Sequence, residues 1–440
     1  MRFGIQSPAG TRIKVIALAR HSAAMFERWW WKRLNDVATI YKVVALPMSV
    51  VATGATLSRL YQYWNPKGYA GWYFWNVAAA RFQEPSYNRP WVENNALQKI
   101  IQEALRRDSD ERMTLISGLR MSGKTSAVLK ECHDQGKVGF FLSLGEYQGE
   151  QNKMGEIKEF VVSSLISNGT GTIQGWFQWL KWLFFPEPRP DTVWQGLKGA
   201  FKANPHRLVI VVDETQVLAN KAMHHGGILN EFCALSPFGS VVLIASEYAV
   251  AQHLKEMTHI AERTRVIYPP TPTAEEMRPH IRHLFEERFG SKVVDEVARR
   301  FDGSFKLVRR LKELGSVEGV RKWHRQQLVD GLELTEGGMT SAEKATRTGQ
   351  AMIAAAKMSF GLPVEAFDKY TLELAQAGAA KIETVEDDLV IAKWATPLSE
   401  EIMKELVCDT NIFAFMKKRV PQGLILEFEQ VIQGRCPVNK

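Results

Sequence analysis

The chain has 440 residues, of which 45% are hydrophobic and 24% charged, and its formal net charge at pH 7 is +8. This length accommodates two or three domains, and the composition excludes a disordered or low-complexity protein. The positive excess lies in residues 1–95, which hold 12 Lys and Arg against 4 Asp and Glu. The isoelectric point therefore does not indicate a nucleic-acid-binding face on the remaining residues.

Four cysteines, Cys132, Cys233, Cys408 and Cys436, lie far apart in the sequence and form no C-x-x-C pair. This spacing argues against a zinc site or a disulfide framework and is typical of a protein from a reducing compartment.

The first segment, residues 1–40, is rich in Arg and nearly free of acidic residues. It predicts a mitochondrial targeting sequence, or alternatively the positive flank of a bacterial membrane anchor.

Residues 41–60 are predicted to form a transmembrane helix, because 43–58 are uncharged between Lys42 and Arg59. Sixteen residues span about 24 Å as a helix, close to the hydrocarbon thickness once the flanking cations are counted. Trp and Tyr residues lie on both sides, as in membrane-interface belts, so 61–94 is predicted as an aromatic linker. The expected location is the mitochondrial inner membrane, with a bacterial inner membrane or a soluble cytoplasmic protein as alternatives.

Residues 118–125, GLRMSGKT, complete the pattern G-x-x-x-x-G-K-[ST] of a phosphate-binding loop. An apolar run at 113–117 precedes it and a helix-forming stretch follows, which is the strand–loop–helix setting that the motif requires. Glycines allow the backbone N–H groups to surround a triphosphate. Lys124 is predicted to reach the β- and γ-phosphates and Thr125 to ligate Mg²⁺, with the helix dipole directed at the phosphates.

Between this motif and the next, residues 175–188 contain three tryptophans and three phenylalanines, several of them at helical spacing. A core or lid helix is the ordinary interpretation, and contact with a partner or a membrane is the alternative.

Residues 208–214, LVIVVDE, predict a strand buried on both faces that ends in two carboxylates. At the carboxyl edge of a parallel sheet, Asp213 would hold Mg²⁺ through water and Glu214 would activate the attacking water.

A third strand, at 241–247, ends in Ser246, which could contact the γ-phosphate or cap the next helix. Further strands are predicted at 140–144 and 265–269. Five strands alternating with helices predict an α/β fold with a parallel sheet flanked by helices.

The motifs GLRMSGKT, DETQ at 213–216 and PTAEE at 272–276 resemble those of archaeal-type P-loop ATPases of the AAA+/STAND group. The resemblance implies a P-loop ATPase domain at 95–270, a helical lid at 271–340 and a winged-helix-like domain at 341–440. Thr273 is expected to cap the first lid helix in a capping box with Glu276. Segment 302–311 is similar to a lid turn and would place Lys306, or alternatively Arg309 or Arg310, near the nucleotide.

The predicted catalytic residues are Lys124, Asp213 and Glu214, and the predicted metal ligands are Thr125 and Asp213. The predicted nucleotide-binding residues are Gly118, Leu119, Arg120, Met121, Ser122, Gly123, Lys124, Thr125, Ser126, Ser246 and Lys306. ATP with Mg²⁺ is favoured over GTP because no N-K-x-D motif follows the loop.

These features predict a membrane-anchored ATPase that couples ATP hydrolysis to conformational work on a protein partner, and that could form a homo-oligomer. The alternatives are an ATP-dependent scaffold or switch without turnover, and a soluble DNA-associated ATPase. Nucleic acid is the less favoured partner, because the region that would hold a recognition helix is not notably basic.

Overall fold

A computed structural model describes residues 46–75, 79–82, 94–105, 112–146, 154–167, 187–219, 227–246, 248–335, 341–386 and 389–436, with isolated positions 28, 32–33, 35–36 and 92. The predicted targeting segment lies almost entirely outside these residues, and so does most of the tryptophan-rich stretch at 175–188.

The centre of the molecule is a six-stranded sheet in the order β1-β3-β4-β5-β2-β6. Five of the strands are parallel and β1 pairs antiparallel with β3. Their bounds are β1 Ala80–Arg81, β2 Met113–Ser117, β3 Val138–Ser143, β4 Leu208–Asp213, β5 Ser240–Ala245 and β6 Thr264–Ile267. The predicted α/β fold class, that of a P-loop NTPase, is confirmed, and the short edge strand β1 is an addition that the sequence did not predict.

The register of the parallel strands brings their carboxyl ends to one edge. Ser117 of β2 lies opposite Ala245 of β5, and Ser143 of β3 lies opposite Asp213 of β4. Since β5 is inserted between β2 and β4, one strand separates the loop that follows β2 from the two carboxylates at the end of β4. The sheet therefore places the phosphate-binding motif and the acidic motif at the same edge.

Both faces of the sheet are covered by helices. On one face, α3 (Asn95–Leu105) and α4 (Lys124–Asp134) pack on alternate strand residues such as Val209 and Val211. The intervening residues Ile210 and Val212 lie in the larger core on the opposite face. Helices near this second face are α5 Met154–Ser167, α6 Val193–Ala203, α7 Gly227–Leu235, α8 Tyr248–Glu256 and α9 Thr258–Ala261. Burial on both sides explains why the strands read as continuous apolar runs.

The predicted aromatic linker at 61–94 differs in its described part. Helix α2 (Pro66–Tyr73) packs along α6, and Tyr69, Tyr73 and Phe74 are buried in the larger core. Phe74 meets Phe140 of β3 edge-on, with ring centroids 5.8 Å apart. These aromatic residues therefore cover the second face of the sheet rather than connecting two units.

The predicted membrane location is wrong. Helix α1 (Leu46–Trp64) is the element at the predicted span, and its surface is interrupted by Thr53, Thr56, Arg59 and Gln62. Among the described residues, no helix combines the length and apolar character that crossing a bilayer requires.

Four helices follow the sheet: α10 Ala274–Phe289, α11 Ser291–Phe301, α12 Phe305–Leu314 and α13 Val317–Gly331. The predicted capping box is confirmed at the start of α10, where the Thr273 side chain accepts from Glu276 N and the Glu276 carboxylate accepts from Thr273 N at 2.8 Å. The division of the chain into ATPase, lid and C-terminal domains stays a prediction.

The predicted winged helix is not seen in the described part of residues 341–440. Helices α14 (Ala342–Ser359) and α15 (Lys369–Gln376) do precede a hairpin of β7 (Ala380–Glu386) and β8 (Leu389–Trp394). Three more helices then follow, α16 Pro397–Val407, α17 Thr410–Lys417 and α18 Gln422–Ile432, and α14 contacts α15, α16 and α18. The buried Ala351–Ala356 stretch of α14 allows this close packing and makes α14 the centre of a helical unit.

A disulfide joins Cys408 at the end of α16 to Cys436 beyond α18. The expectation that the cysteines are unpaired is therefore wrong for these two, while Cys132 and Cys233 are unbridged and buried. The pairing was not evident from sequence because 28 residues separate the two positions and only the folding back of α17 and α18 brings them together.

Helix α2 approaches α6 so closely that glycine is needed at one position. A Cβ added at Gly196 would lie 2.4 Å from Ala70 Cβ, whereas one added at Gly199 would meet nothing closer than Gly71 Cα at 3.9 Å. We expect Gly196→Ala to lower the unfolding free energy by about 1–2 kcal/mol, because overpacking outweighs the gain in helix propensity. Gly199→Ala, the matched control, should be neutral or stabilising by about 0.5–1 kcal/mol. Urea unfolding measures both, and equal effects would argue against the packing of α2 on α6.

Candidate functional site

The phosphate-binding loop connects the buried end of β2 to the first turn of α4. Gly123 caps α4 with a left-handed backbone (φ +85°), and Met121 is also left-handed (φ +61°). Residues Gly118 to Ser122 lie in the turn between the two elements, and Ser126 lies in the first turn of α4. The loop and the start of the 11-residue helix thus have the arrangement in which backbone N–H groups and the helix dipole attract an anion.

The Lys124 side chain lies across this loop. Its Nζ donates to the carbonyl oxygens of Gly118 at 2.9 Å and Leu119 at 2.6 Å, and to Ser122 Oγ at 3.1 Å. Burial lowers the pKa of Lys124 to about 8, an effect that nearby Asp213 partly offsets. Asp213 thus compensates for only part of the cost of burying the ammonium, and a bound anion would compensate for more of it.

Thr125 and Asp213, the two predicted metal ligands, are in contact. Thr125 Oγ1 donates to Asp213 Oδ2 at 2.9 Å, linking α4 to the end of β4. A hydroxyl and a carboxylate oxygen side by side form a hard-oxygen donor set of the kind that Mg²⁺ prefers. Both residues fit a magnesium site, and the second carboxylate oxygen, Oδ1, accepts from the Glu214 backbone N–H at 2.9 Å.

Glu214 follows directly and has a left-handed backbone, with φ +56°, which is unfavourable for a residue with a Cβ. Its carboxylate lies 3.8 Å from the Arg120 guanidinium of the phosphate-binding loop. Arg120 and Glu214 are thus close to each other, and neither this contact nor the backbone strain at Glu214 was foreseen from the sequence.

Ser246 follows β5, between the two motifs. Its backbone N–H donates to Gln216 Oε1 at 3.3 Å, so the last residue of the DETQ motif is tied to the end of the neighbouring strand. Thr215 adds a second tie, because its Oγ1 donates to the Ile244 carbonyl at 3.0 Å. Ser246 borders both cavities described next.

A cavity of about 370 Å³, here the P-loop cavity, lies along the loop and the start of α4. Residues of three other segments form its opposite wall: Val92, Leu97, Pro272, His280 and Phe305. The His280 and Phe305 rings meet edge-on with centroids 5.7 Å apart. Sequence reasoning missed these residues, because no local pattern marks apolar side chains that meet only after folding.

A second cavity of about 470 Å³, here the junction cavity, lies on the other side of residues 119–122. It lies between the sheet, helices α12 and α13, and the helices and hairpin of residues 341–386 and 389–436, here the C-terminal unit. Lys306 lines it, at 5.3 Å from the Trp323 ring centroid, and burial together with Arg310 and Arg120 lowers the pKa of Lys306. Lys306 is therefore near the loop but lies in a different cavity from Lys124.

Arg309 and Arg310, the alternatives to Lys306 as the cation near the nucleotide, contact other residues. Arg309 and Arg310 both pair with Glu313 of their own helix, and Arg310 also stacks over Trp323. Neither borders the two cavities. Deeper in the junction cavity, burial lowers the pKa of His324 to about 4, and its Nε2 lies 2.9 Å from Ser399 Oγ of α16.

The C-terminal unit is joined to the sheet domain through the hairpin. Thr384 N donates to the Tyr268 carbonyl at 2.8 Å, and Lys381 Nζ donates to Thr271 Oγ1 at 2.6 Å. Buried Glu383 pairs with Lys381 at 2.9 Å and with Lys393 at 3.2 Å. Burial alone would raise the pKa of Glu383, but these two cations bring it below its usual value. Polar contacts in a buried setting therefore fix the unit to the segment that follows β6.

No protein-family model and no curated protein matches this chain. Solved structures with some similarity include Orc1 of Aeropyrum pernix in complex with DNA, at 14% identity over 73% of this chain and 94% of that one, with a TM-score of 0.33. A RuvB variant of Thermotoga maritima has 14% identity over 69% and 92%, with a TM-score of 0.33. Cdc6 of Pyrobaculum aerophilum has 15% identity over 77% and 97%, with a TM-score of 0.32. Similarity this low says nothing about activity or ligands.

The lowered pKa of Lys124 predicts proton uptake when a triphosphate binds. Near pH 8 about half of the Lys124 side chains are deprotonated, and the anion raises their pKa, so binding should take up about half a proton per site. Calorimetric titration with Mg-ATP in buffers of different ionisation enthalpy measures this uptake. Uptake should vanish in Lys124→Arg, whose guanidinium stays protonated. Binding to the wild type without any buffer dependence at pH 8 would contradict the assignment.

Proposed function

We propose that the chain binds Mg-ATP at the phosphate-binding loop and hydrolyses it. The observation that carries this proposal is the meeting of Lys124, Thr125, Asp213 and Glu214 at the carboxyl edge of the sheet, with Thr125 and Asp213 2.9 Å apart. These residues belong to motifs almost 90 residues apart, and each has the chemistry that phosphoryl transfer to water requires.

The P-loop cavity supports ATP as the ligand. It combines the phosphate-binding residues Gly123 to Ser126 with an apolar wall that includes Val92 and Phe305. An apolar wall beside a polar loop suits a purine base joined to a phosphate chain. The sequence has no N-K-x-D motif to read guanine, which favours adenine.

The proposed chemistry is mostly charge stabilisation and positioning. Lys124 and the loop N–H groups would stabilise the phosphate oxygens, and the phosphates would in turn compensate for the burial that lowers the pKa of Lys124. Glu214 would orient the attacking water and accept its proton. Thr125 and Asp213 would hold Mg²⁺, which when bound neutralises charge on the phosphates.

The junction cavity suggests how the nucleotide could act on the rest of the molecule. Arg120 and Ser122 line it from the loop, Lys306 and His324 from the helices after the sheet, and Ser399 from the C-terminal unit. A change in the loop would therefore alter a cavity that the C-terminal unit also lines. We propose that the loop acts through this shared cavity to transmit the nucleotide state to a protein partner. Lys306 would be the cation that senses the nucleotide state.

Two substitutions separate binding from turnover. Lys124→Ala should lower Mg-ATP affinity at least tenfold, because it removes the cation at the phosphates. Glu214→Gln should keep affinity within a few-fold and lower kcat by a factor on the order of 100 or more, because an amide cannot accept the proton. Phosphate release and nucleotide binding measure these effects. Lys130→Ala is the control, since Lys130 pairs with Asp134 on the same helix outside the P-loop cavity.

The same assays decide between hydrolysis and a switch without turnover. If Glu214→Gln hydrolysed ATP as fast as the wild type, the assignment of the base would be wrong. If the wild type bound Mg-ATP tightly and released no phosphate, the chain would be an ATP-dependent switch.

A further inference from the structure

The side chain of Glu214 lies in the space beside a glycine in the turn that follows β3. Gly145 is in a short helical turn, Leu144–Glu146. A Cβ placed on Gly145 would lie 1.7 Å from Glu214 Oε2 and 2.6 Å from its Cδ. The three nearest heavy atoms to that Cβ all belong to Glu214. The missing side chain at position 145 therefore makes room for this carboxylate.

The backbone of Gly145 does not itself require glycine. Its φ lies outside the left-handed range that disfavours residues with a side chain, unlike that of Gly123. The position is also exposed rather than part of the core. Contact with Glu214 is thus the steric reason for a glycine here.

The backbone that carries Glu214 is held on both sides. Its N–H donates to Asp213 Oδ1, Thr215 Oγ1 donates to the Ile244 carbonyl, and Gln216 accepts from Ser246 N. With the backbone tied to β4 and β5, a group added at position 145 must displace the Glu214 side chain, which is the flexible partner. The space at Gly145 permits the location of the carboxylate, because a side chain at position 145 would occupy it.

Arg120 lies at the other carboxylate oxygen, with Nη2 3.8 Å from Oε1. Its side chain is 78% exposed, and exposed ion pairs of this kind hold a carboxylate only weakly. A Cβ on residue 145, in contrast, would lie 1.7 Å from Glu214 Oε2 and would force the carboxylate to move. The weak ion pair would therefore not hold the carboxylate in place against a side chain at position 145.

We propose that Gly145 is a positioning residue for hydrolysis. Its missing side chain leaves the space that the Glu214 carboxylate needs in order to act on water. This inference rests on the proposed function of Glu214 as the base. Misplacing a catalytic group by about 1 Å can cost on the order of 100-fold in rate. A single methyl group at position 145 is therefore expected to impair turnover while the nucleotide still binds.

The test compares Gly145→Ala with Gly423→Ala in the full chain. Gly423 lies in α18, and a Cβ there meets nothing within 4 Å, so it controls for the substitution itself. We expect Gly145→Ala to lower kcat at least tenfold, with Mg-ATP affinity within twofold and the melting temperature close to that of the wild type. In a Glu214→Gln background, the same substitution should lower kcat no further, because the base is already lost.

A crystal structure of Gly145→Ala provides a readout that does not depend on turnover. It should show the Glu214 carboxylate displaced while the backbone of residues 213–216 stays in place. An unmoved carboxylate, or a kcat equal to that of the wild type, would overturn the inference.

The outcomes also separate this inference from the proposed function. If the wild type hydrolyses ATP, Glu214→Gln does not, and Gly145→Ala does, the positioning role fails and the function stands. If the wild type does not hydrolyse ATP, both fail together.

Discussion

The site depends on the hydrogen-bonded register of the parallel sheet. Because β2, β4 and β5 run parallel, their carboxyl ends lie at one edge, and only β5 separates β2 from β4. Helices cover both faces of these strands, so polar side chains are accommodated where the strands end, at this carboxyl edge. The groups from Lys124 to Ser246 lie at or after strand ends on this edge, whereas Lys306 is carried by helix α12.

At that edge, several groups carry an energetic cost that structural stability does not explain. Lys124 is buried with a lowered pKa, and Glu214 and Met121 have left-handed backbones. Such features concentrate at sites where a ligand or a reaction offsets them. Gly145 differs from these groups, because its backbone is unstrained and it contributes only the space beside the Glu214 carboxylate.

The misjudged parts of the chain share one physical cause. Aromatic residues such as Tyr69 and Phe74 are equally suited to a membrane interface and to a protein core, and composition cannot distinguish these environments. Two helices and a hairpin likewise occur in many small domains, including winged helices. Only the packing of α16 and α18 on α14 shows which kind of domain is present. The Cys408–Cys436 bridge depends on the same packing.

The sequence by itself determined the sheet, the loop and the acidic strand end, because each is encoded by a few consecutive residues with a strong local signal. GLRMSGKT, LVIVVDE and the capping box at Thr273 are such signals, and each led to the element that the structure contains. Tertiary structure alone decided the opposite wall of the P-loop cavity, the junction cavity with Lys306, and the space beside Gly145. These depend on contacts between segments tens to hundreds of residues apart, and such contacts leave no periodic or spaced pattern in a single sequence.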